Sequence, residues 1–358
     1  MAHVFISPHP DDVALSCGGL VASLRELGQN VTIITVFSGG HRDGGALTDY
    51  QRAALGFGTK AIWPATESFD RSAIASEYPV VREPGPDAPW LADPARIAAT
   101  QERANTQARQ FWQRASWTRS ANVTNVETPA RPIADSIGGQ GTLATIDFAS
   151  ADATAIRKAE DERYAWFAEC SVIDLDLPDA VYRGYEGDDQ LLGGPRDDDE
   201  APHEILRREI LRLEPQQIYF PLGVGGHVDH QLCREVAIGM LGEGRRWVMP
   251  GPEMDGRISF YEDFPYAWWN DFTGLGDLTG SPLVLPAGYA LEARYAEIGE
   301  QMERKAAGIR VYASQIVNLF ESDQGMLDDV AGYAARVATA GSVGTGAAER
   351  YWSVVRSA

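Results

Sequence analysis

Phe5-Ile6-Ser7-Pro8-His9-Pro10-Asp11-Asp12-Val13-Ala14-Leu15-Ser16-Cys17-Gly18-Gly19 joins a short apolar run to a segment of helical spacing, with polar residues packed at the joint. Val4-Phe5-Ile6 has the texture of a first strand, and residues 20–24 continue as a helix. Polar groups at such a handover lie at the carboxyl edge of a sheet, where open α/β folds place their ligands. His9 and Asp12 are three positions apart, and Pro8 and Pro10 restrict the backbone around His9. One neutral imidazole and one carboxylate on a stiff turn supply two of the three protein ligands of a catalytic zinc site. Asp11, between them, can face the open coordination position. By itself, an Asp-rich turn before a helix is more often a plain N-cap than a ligand set.

A second stretch, Pro221-Leu222-Gly223-Val224-Gly225-Gly226-His227-Val228-Asp229-His230, repeats the arrangement. It follows the strand-like run Gln217-Ile218-Tyr219-Phe220 and opens a helix predicted over residues 231–241. Three of the six histidines in the chain fall in these two turns, so convergence on one ion outweighs coincidence.

Outward from the first turn, a helix ends near Gly28 and residues 31–37 form a β-branched run of the kind buried in a parallel sheet. That run ends at Ser38-Gly39-Gly40, on the same edge as His9 if the connection is a right-handed βαβ unit. The pattern predicts an α/β chain with a three-layer, Rossmann-like fold: a mostly parallel sheet with helices on both faces. One domain over residues 1–358 is expected, with a large insertion at about 59–150. That insertion is rich in Pro, Ala, Ser, Thr and Asn, carries Trp63, Trp90, Trp112 and Trp117, and includes a predicted helix over 94–117. Its aromatic content suits a lid or wall beside the site.

Further on, the pattern predicts a helix over 154–170 with a charged face (Arg157, Lys158, Glu160, Asp161, Glu162, Arg163) and a strand over 171–177. A Gly- and Asp-rich loop then spans 182–199. The acidic run 197–200 reads as the N-terminal charge of a helix over 201–213. A strand is expected over 256–262, a long helix over 291–312, and a helix-and-loop tail beyond. No G-x-G-x-x-G follows the first strand, which removes the main support for dinucleotide binding.

Fifty-one acidic residues against 31 basic ones give a formal charge of −20. Such a surface argues against nucleic-acid or anionic-membrane partners, and it suits a small neutral or weakly charged substrate. A homo-oligomer is compatible with the sequence. Three scattered cysteines (Cys17, Cys170, Cys233) form no disulfide framework and read as reduced core residues. No signal-peptide pattern opens the chain, and no apolar run approaches the roughly 18 residues of a membrane span. A cytoplasmic location is expected.

If His9, Asp12 and His230 held one Zn²⁺, the pKa of a bound water would fall from about 15.7 to near 7. Asp11 could then take its proton as general base. A protonated His227 could stabilise the developing oxyanion and protonate the leaving nitrogen. Asp229 could hold an imidazole in the right tautomer. Spacing alone leaves open which of His227 and His230 is the ligand. The strand-end residues Tyr261 and Glu262, together with Arg42 and Tyr185, are candidates for substrate contact.

With these residues in place, the chain resembles the PIG-L (LmbE-like) family of zinc-dependent deacetylases acting on N-acetylglucosaminyl conjugates. The family's Ala-His-Pro-Asp-Asp-Glu and His-x-Asp-His motifs are matched by His9-Pro10-Asp11-Asp12 and His227-Val228-Asp229-His230. The resemblance covers roughly residues 2–58 and 153–265, with a Lys-x-x-Ala…Ser-Gln echo at 305–315. It implies one Zn²⁺ (Fe²⁺ or Co²⁺ as alternatives) on His9, Asp12 and His230, Asp11 as base, and His227 as acid or electrophilic helper. The implied activity is removal of an acetyl group from an amino sugar or sugar conjugate. Val13 departs from the acidic residue usual after the Asp pair, and 59–150 has no recognisable counterpart. The competing expectations are an inactive sugar-binding protein on the same fold and a Rossmann-like nucleotide or group-transfer enzyme.

Overall fold

The computed structural model of the chain describes residues 1–40, 47–55, 62–64, 143–145, 153–242, 256–278, 282–320, 322–344 and 346–357. Its strands are β1 (Ala2–Ser7), β2 (Asn30–Thr35), β3 (Ile62–Pro64), β4 (Leu143–Thr145), β5 (Ser171–Asp174), β6 (Gln217–Pro221), β7 (Ile258–Tyr261), β8 (Tyr289–Glu297) and β9 (Ala348–Arg356). Its α-helices are α1 (Asp12–Glu26), α2 (Asp49–Ala54), α3 (Ala153–Phe167), α4 (Asp188–Leu191), α5 (His203–Arg212), α6 (Val228–Gly242), α7 (Tyr266–Trp269), α8 (Met302–Arg310), α9 (Ala313–Phe320) and α10 (Asp323–Gly341).

Seven strands make one sheet in the order β5-β2-β1-β6-β7-β9-β8. The first five are mutually parallel, and β9 runs antiparallel to both β7 and β8. From β1 the chain builds the sheet first towards β2 and later towards β6, so the strand order reverses at the β1–β6 boundary. That boundary is the switch point at which doubly wound sheets open a crevice. Both motif turns lie at its carboxyl edge, one after each strand.

Side chains alternate across the sheet, and a parallel strand covered on both faces is apolar on both. Val4 and Ile6 of β1 join Ile34, Ile218 and Phe220 under Leu206 and Ile210 of α5 and Leu232 and Val236 of α6. Phe5 points the other way, with Ile33 and Tyr219, under Val13, Cys17 and Val21 of α1 and Tyr164 of α3. The Phe5 and Tyr219 rings stack with centroids 4.3 Å apart. The expected mostly parallel α/β architecture is therefore present.

The charged face of α3 is turned inward at Arg157, Glu160 and Asp161, and three local expectations are corrected. Asp161 accepts from Thr35 Oγ1 (2.5 Å) and the Tyr312 hydroxyl (2.7 Å), and Glu160 accepts from the Ser314 N–H (2.9 Å) and hydroxyl (2.7 Å). The 305–315 echo thus braces α3 from beneath; its Lys305 pairs with Glu349 at 2.6 Å. Residues 291–312 are not one helix: 291–297 belong to β8, because Tyr289, Leu291, Ala293 and Tyr295 alternate along a strand paired with β9. The tail likewise contains β9 as well as α10. The acidic run does not open α5, which starts at His203; Asp199 is instead engaged by Arg183.

The expected helix over 94–117 lies outside the described residues. So does the inserted segment, apart from β3 and β4, which pair antiparallel. Among the described residues no helix is long and apolar enough to cross a membrane.

Candidate metal centre and active site

After β1 the backbone is locked by short-range bonds. The Ser7 hydroxyl donates to the His9 carbonyl (2.6 Å), and the His9 N–H donates to Asp12 Oδ2 (2.8 Å). Asp11 occupies the N-cap position of α1, yet its side chain makes no capping bond and its φ is +104°. A non-glycine residue held in that region is strained, and such strain clusters at functional sites. The plain N-cap interpretation therefore fails, and the Asp11 carboxylate is left for another task. In the second turn Gly223, Gly225 and Gly226 all have positive φ, which swings His227 and the start of α6 back over the sheet edge. At Gly225 a Cβ would lie 2.7 Å from the Cβ of Tyr266, so only glycine fits.

The two turns meet at Asp12. Its Oδ2 is 3.3 Å from His9 Nδ1 and 3.4 Å from His230 Nε2. Donor atoms about 2.1 Å from a tetrahedral ion stand about 3.4 Å apart, so each of these two separations suits a pair of ligands on a zinc-like ion. The remaining nitrogen of each ring faces a carboxylate: His9 Nε2 to Asp229 Oδ2 at 2.8 Å, His230 Nδ1 to Asp263 Oδ1 at 2.6 Å. Carboxylates in that position orient ligating imidazoles and free the other nitrogen for the metal. The electrostatics point the same way. Burial lowers the His9 pKa, but Asp179, Asp12 and Asp229 outweigh it and hold it up to about 10. Burial is likewise overcome at Asp12, by His230 and His9, and at Asp229, by Arg183 and His9; both carboxyls lie below their ordinary value. So much negative charge out of solvent demands cations, and a divalent ion can replace the ring protons.

Two other triads of potential ligands lie close: His9, His227 and His230, and His9, Asp179 and Asp229. The second is a poorer cage, because Asp229 is already engaged by the Ala180 N–H (3.1 Å) and Arg183 (2.5 Å). His227 has its Nδ1 occupied, as the Asp229 N–H donates to it across 3.2 Å. The neutral ring therefore carries its proton on Nε2. Burial and the neighbouring His9 push its pKa well down. Burial thus disfavours the protonated His227 that was expected, and the imidazole that the Asp229 carboxylate holds is that of His9.

Asp11 is buried with its Oδ1 3.5 Å from Arg157, whose guanidinium also donates to the Pro10 carbonyl (3.1 Å) and lies 3.7 Å from Asp179. Burial raises the Asp11 pKa, Arg157 draws it down, Asp12 raises it again, and the balance is about 7. A small pocket lined by Phe37, Gly39, Arg157, Asp179 and Tyr182 lies on this side.

The expected substrate contacts fare differently. The Tyr261 hydroxyl donates to the Ile6 carbonyl (2.8 Å) inside the sheet. The Glu262 carboxylate is saturated by Tyr333 (2.5 Å), Arg350 (2.5 Å) and Trp352 (2.9 Å). Tyr185 is 1% exposed, with its hydroxyl on Asp199 (2.9 Å). All three brace the fold, because each polar tip is buried and already has a partner. Arg42 lies outside the described residues. Asp263, Arg157, Asp179 and Arg183 belong to the site without having been singled out as site residues. For Asp263 a signal existed, an acid at the end of the parallel strand next to β6.

The resemblance to the PIG-L (LmbE-like) family holds. Residues 4–62 match the family profile described as PIG-L: GlcNAc-PI de-N-acetylase. A 2'-N-acetylparomamine deacetylase of Streptomyces fradiae is 30% identical over 144 residues, covering 39% of this chain and 46% of that relative; the match thus spans about half the relative's length. Among solved structures, the zinc-inhibited form of a teicoplanin deacetylase aligns with a TM-score of 0.53 at 20% identity, over 100% of this chain and 99% of that one. An antibiotic A40926 pseudoaglycone deacetylase gives 0.52 at 19% identity, over 99% and 98%. At such identities these two structures speak for the shared fold.

Proposed function

We propose that this chain is a metal-dependent N-deacetylase of an amino sugar or sugar conjugate. The observation that carries the proposal is the position of Asp12 Oδ2, 3.3 and 3.4 Å from the inward nitrogens of His9 and His230, whose outward nitrogens rest on carboxylates. A divalent ion held by His9, Asp12 and His230, Zn²⁺ in the first instance, would supply an acidified water and a polarised acyl oxygen.

The chain's own groups do the rest. Asp11, strained and making no capping bond to its helix, takes the proton of the attacking water as that water's oxygen bonds to the acyl carbon. His227 Nε2–H donates a hydrogen bond to the acyl oxygen as negative charge develops there. A carboxyl balanced near pH 7 can also give a proton back, so Asp11 returns it to the leaving nitrogen as the C–N bond breaks. Acetate and a free amine result. An amino-sugar substrate is supported by the named activity of the Streptomyces relative.

The test is elemental analysis of the purified protein, followed by acetate release from N-acetylated amino sugars, N-acetylparomamine among them, with and without added Zn²⁺. About one ion per chain, lost in His9→Ala, together with metal-dependent acetate release, is the expected result. A chain that binds no divalent ion overturns the proposal.

A further inference from the structure

Asp229 is fully buried, and both of its oxygens are spoken for. Oδ2 meets His9 Nε2 (2.8 Å) and the Ala180 N–H (3.1 Å), and Oδ1 accepts from an Arg183 terminal nitrogen (2.5 Å). The same nitrogen donates to Asp199 Oδ2 (2.9 Å), and Arg183 Nε donates to both Asp199 oxygens (3.0 and 3.2 Å). The last nitrogen donates to the Pro178 carbonyl (2.6 Å), and the guanidinium lies over the Phe37 ring at 4.7 Å.

We propose that Arg183 is a positioning residue of the metal centre: it fixes the carboxylate that orients His9 and couples the loop 183–199 to that ligand. The inference rests on His9 being a metal ligand, as proposed above. Four side chains form an unbroken line, Asp199–Arg183–Asp229–His9, from the loop to the ring. The loop holds its own end of the line. Tyr185 donates to Asp199 (2.9 Å) and accepts from the Arg196 N–H (3.0 Å), Arg196 donates to the Arg183 carbonyl (2.8 Å), and Gln231 of α6 donates to the Gly193 carbonyl (2.7 Å).

Clasping the loop would require only the Asp199 pair. Arg183 spends its further donor on the one carboxylate that touches His9 Nε2 most closely. Oδ2 of that carboxylate cannot turn towards the ring in another direction while Oδ1 is held by a rigid guanidinium plane. A lysine could not reproduce this, because a single ammonium lacks the planar fork that bridges two carboxylates.

The test is a double-mutant cycle on Zn²⁺ affinity, read by competition with a chelator, in wild type, Arg183→Met, Asp229→Asn and the double variant. Removing a partner of a ligating histidine costs 10–100-fold in metal affinity, and about a tenfold loss is expected for Arg183→Met. In the Asp229→Asn background the same substitution should change affinity less than about twofold. The absorption of the Co²⁺-loaded chain should shift in Arg183→Met, a change that a loop clip acting elsewhere would not produce. Thermal melts of the metal-free proteins show whether each variant is folded, and Arg183→Lys replaces Arg183→Met if the latter is not. Unchanged affinity, or an equal loss in both backgrounds, overturns the role of Arg183 and leaves the metal centre standing. Absence of Zn²⁺ binding in wild type overturns both.

Discussion

His230 Nδ1 stands 2.6 Å from Asp263 Oδ1, while the other oxygen of Asp263 accepts the Val224 N–H at 2.8 Å. One carboxylate at the end of β7 therefore sets both the ring of a proposed ligand and the glycine-rich turn that precedes it. Asp263→Ala is expected to weaken Zn²⁺ binding by about 10–100-fold, with a smaller loss for Asp263→Asn, which keeps the shape and one acceptor. Chelator competition measures this directly, and unaltered affinity in the alanine variant would refute the assignment.

Asp11→Asn should leave the metal in place, because Asp11 is not among the three proposed ligands, His9, Asp12 and His230. Acetate release should fall by about 10²–10⁴-fold, the usual weight of a general base. Metal content and turnover measured on the same preparation separate the two roles. Loss of the ion along with activity would make Asp11 a ligand instead.

Gly225→Ala places a Cβ at 2.7 Å from Tyr266 in a backbone with φ of +87°. Strain of that kind costs about 1–3 kcal/mol. A lowered unfolding midpoint is expected together with reduced turnover, since the turn that carries His227 must shift. A variant that melts with wild type would show that the turn tolerates the added atom.

Glu160 yields a pH signature in stability. Burial raises its pKa from 4.5 to about 8, although the Ser314 bonds and Arg157 pull it down. The folded state thus holds this proton more tightly than the unfolded chain does. Its contribution to stability is complete below about pH 4.5 and is lost as pH rises through 8. Relative to Glu160→Gln, wild type should lose on the order of 4 kcal/mol between pH 4.5 and 9, at about 1.4 kcal/mol per tenfold change in proton affinity. Denaturant titrations at several pH values give the two slopes; parallel curves would count against a buried, protonated Glu160.

The first and second turns were legible because the chain writes them in one place each: strand, ligands and helix follow within about a dozen residues. The α/β class followed from the same stretches. What the sequence hid is non-local. Asp263 differs from other acids only through where β7 falls beside the ring of His230, and Asp229, legible as a partner of an imidazole, gave no sign that the ring would be that of His9. Arg157 stood out only as part of a charged helix face, because nothing in its neighbourhood shows that Pro10, Asp11 and Asp179 will meet it. The period-two alternation of Tyr289, Leu291, Ala293 and Tyr295 was present, but interleaved Glu, Ala and Arg are good helix formers and masked it.

The place of β9 in the sheet carries a consequence for biosynthesis. The last of the described strands lies inside the sheet, between β7 and β8, rather than at its rim. While the chain is still emerging, both motif turns already exist, yet β7 presents an unpaired edge and β8 has nothing to lie against. Such open edges recruit other chains. Deleting residues 348–357 should therefore turn soluble protein into aggregate, visible by light scattering, even though every proposed ligand is retained.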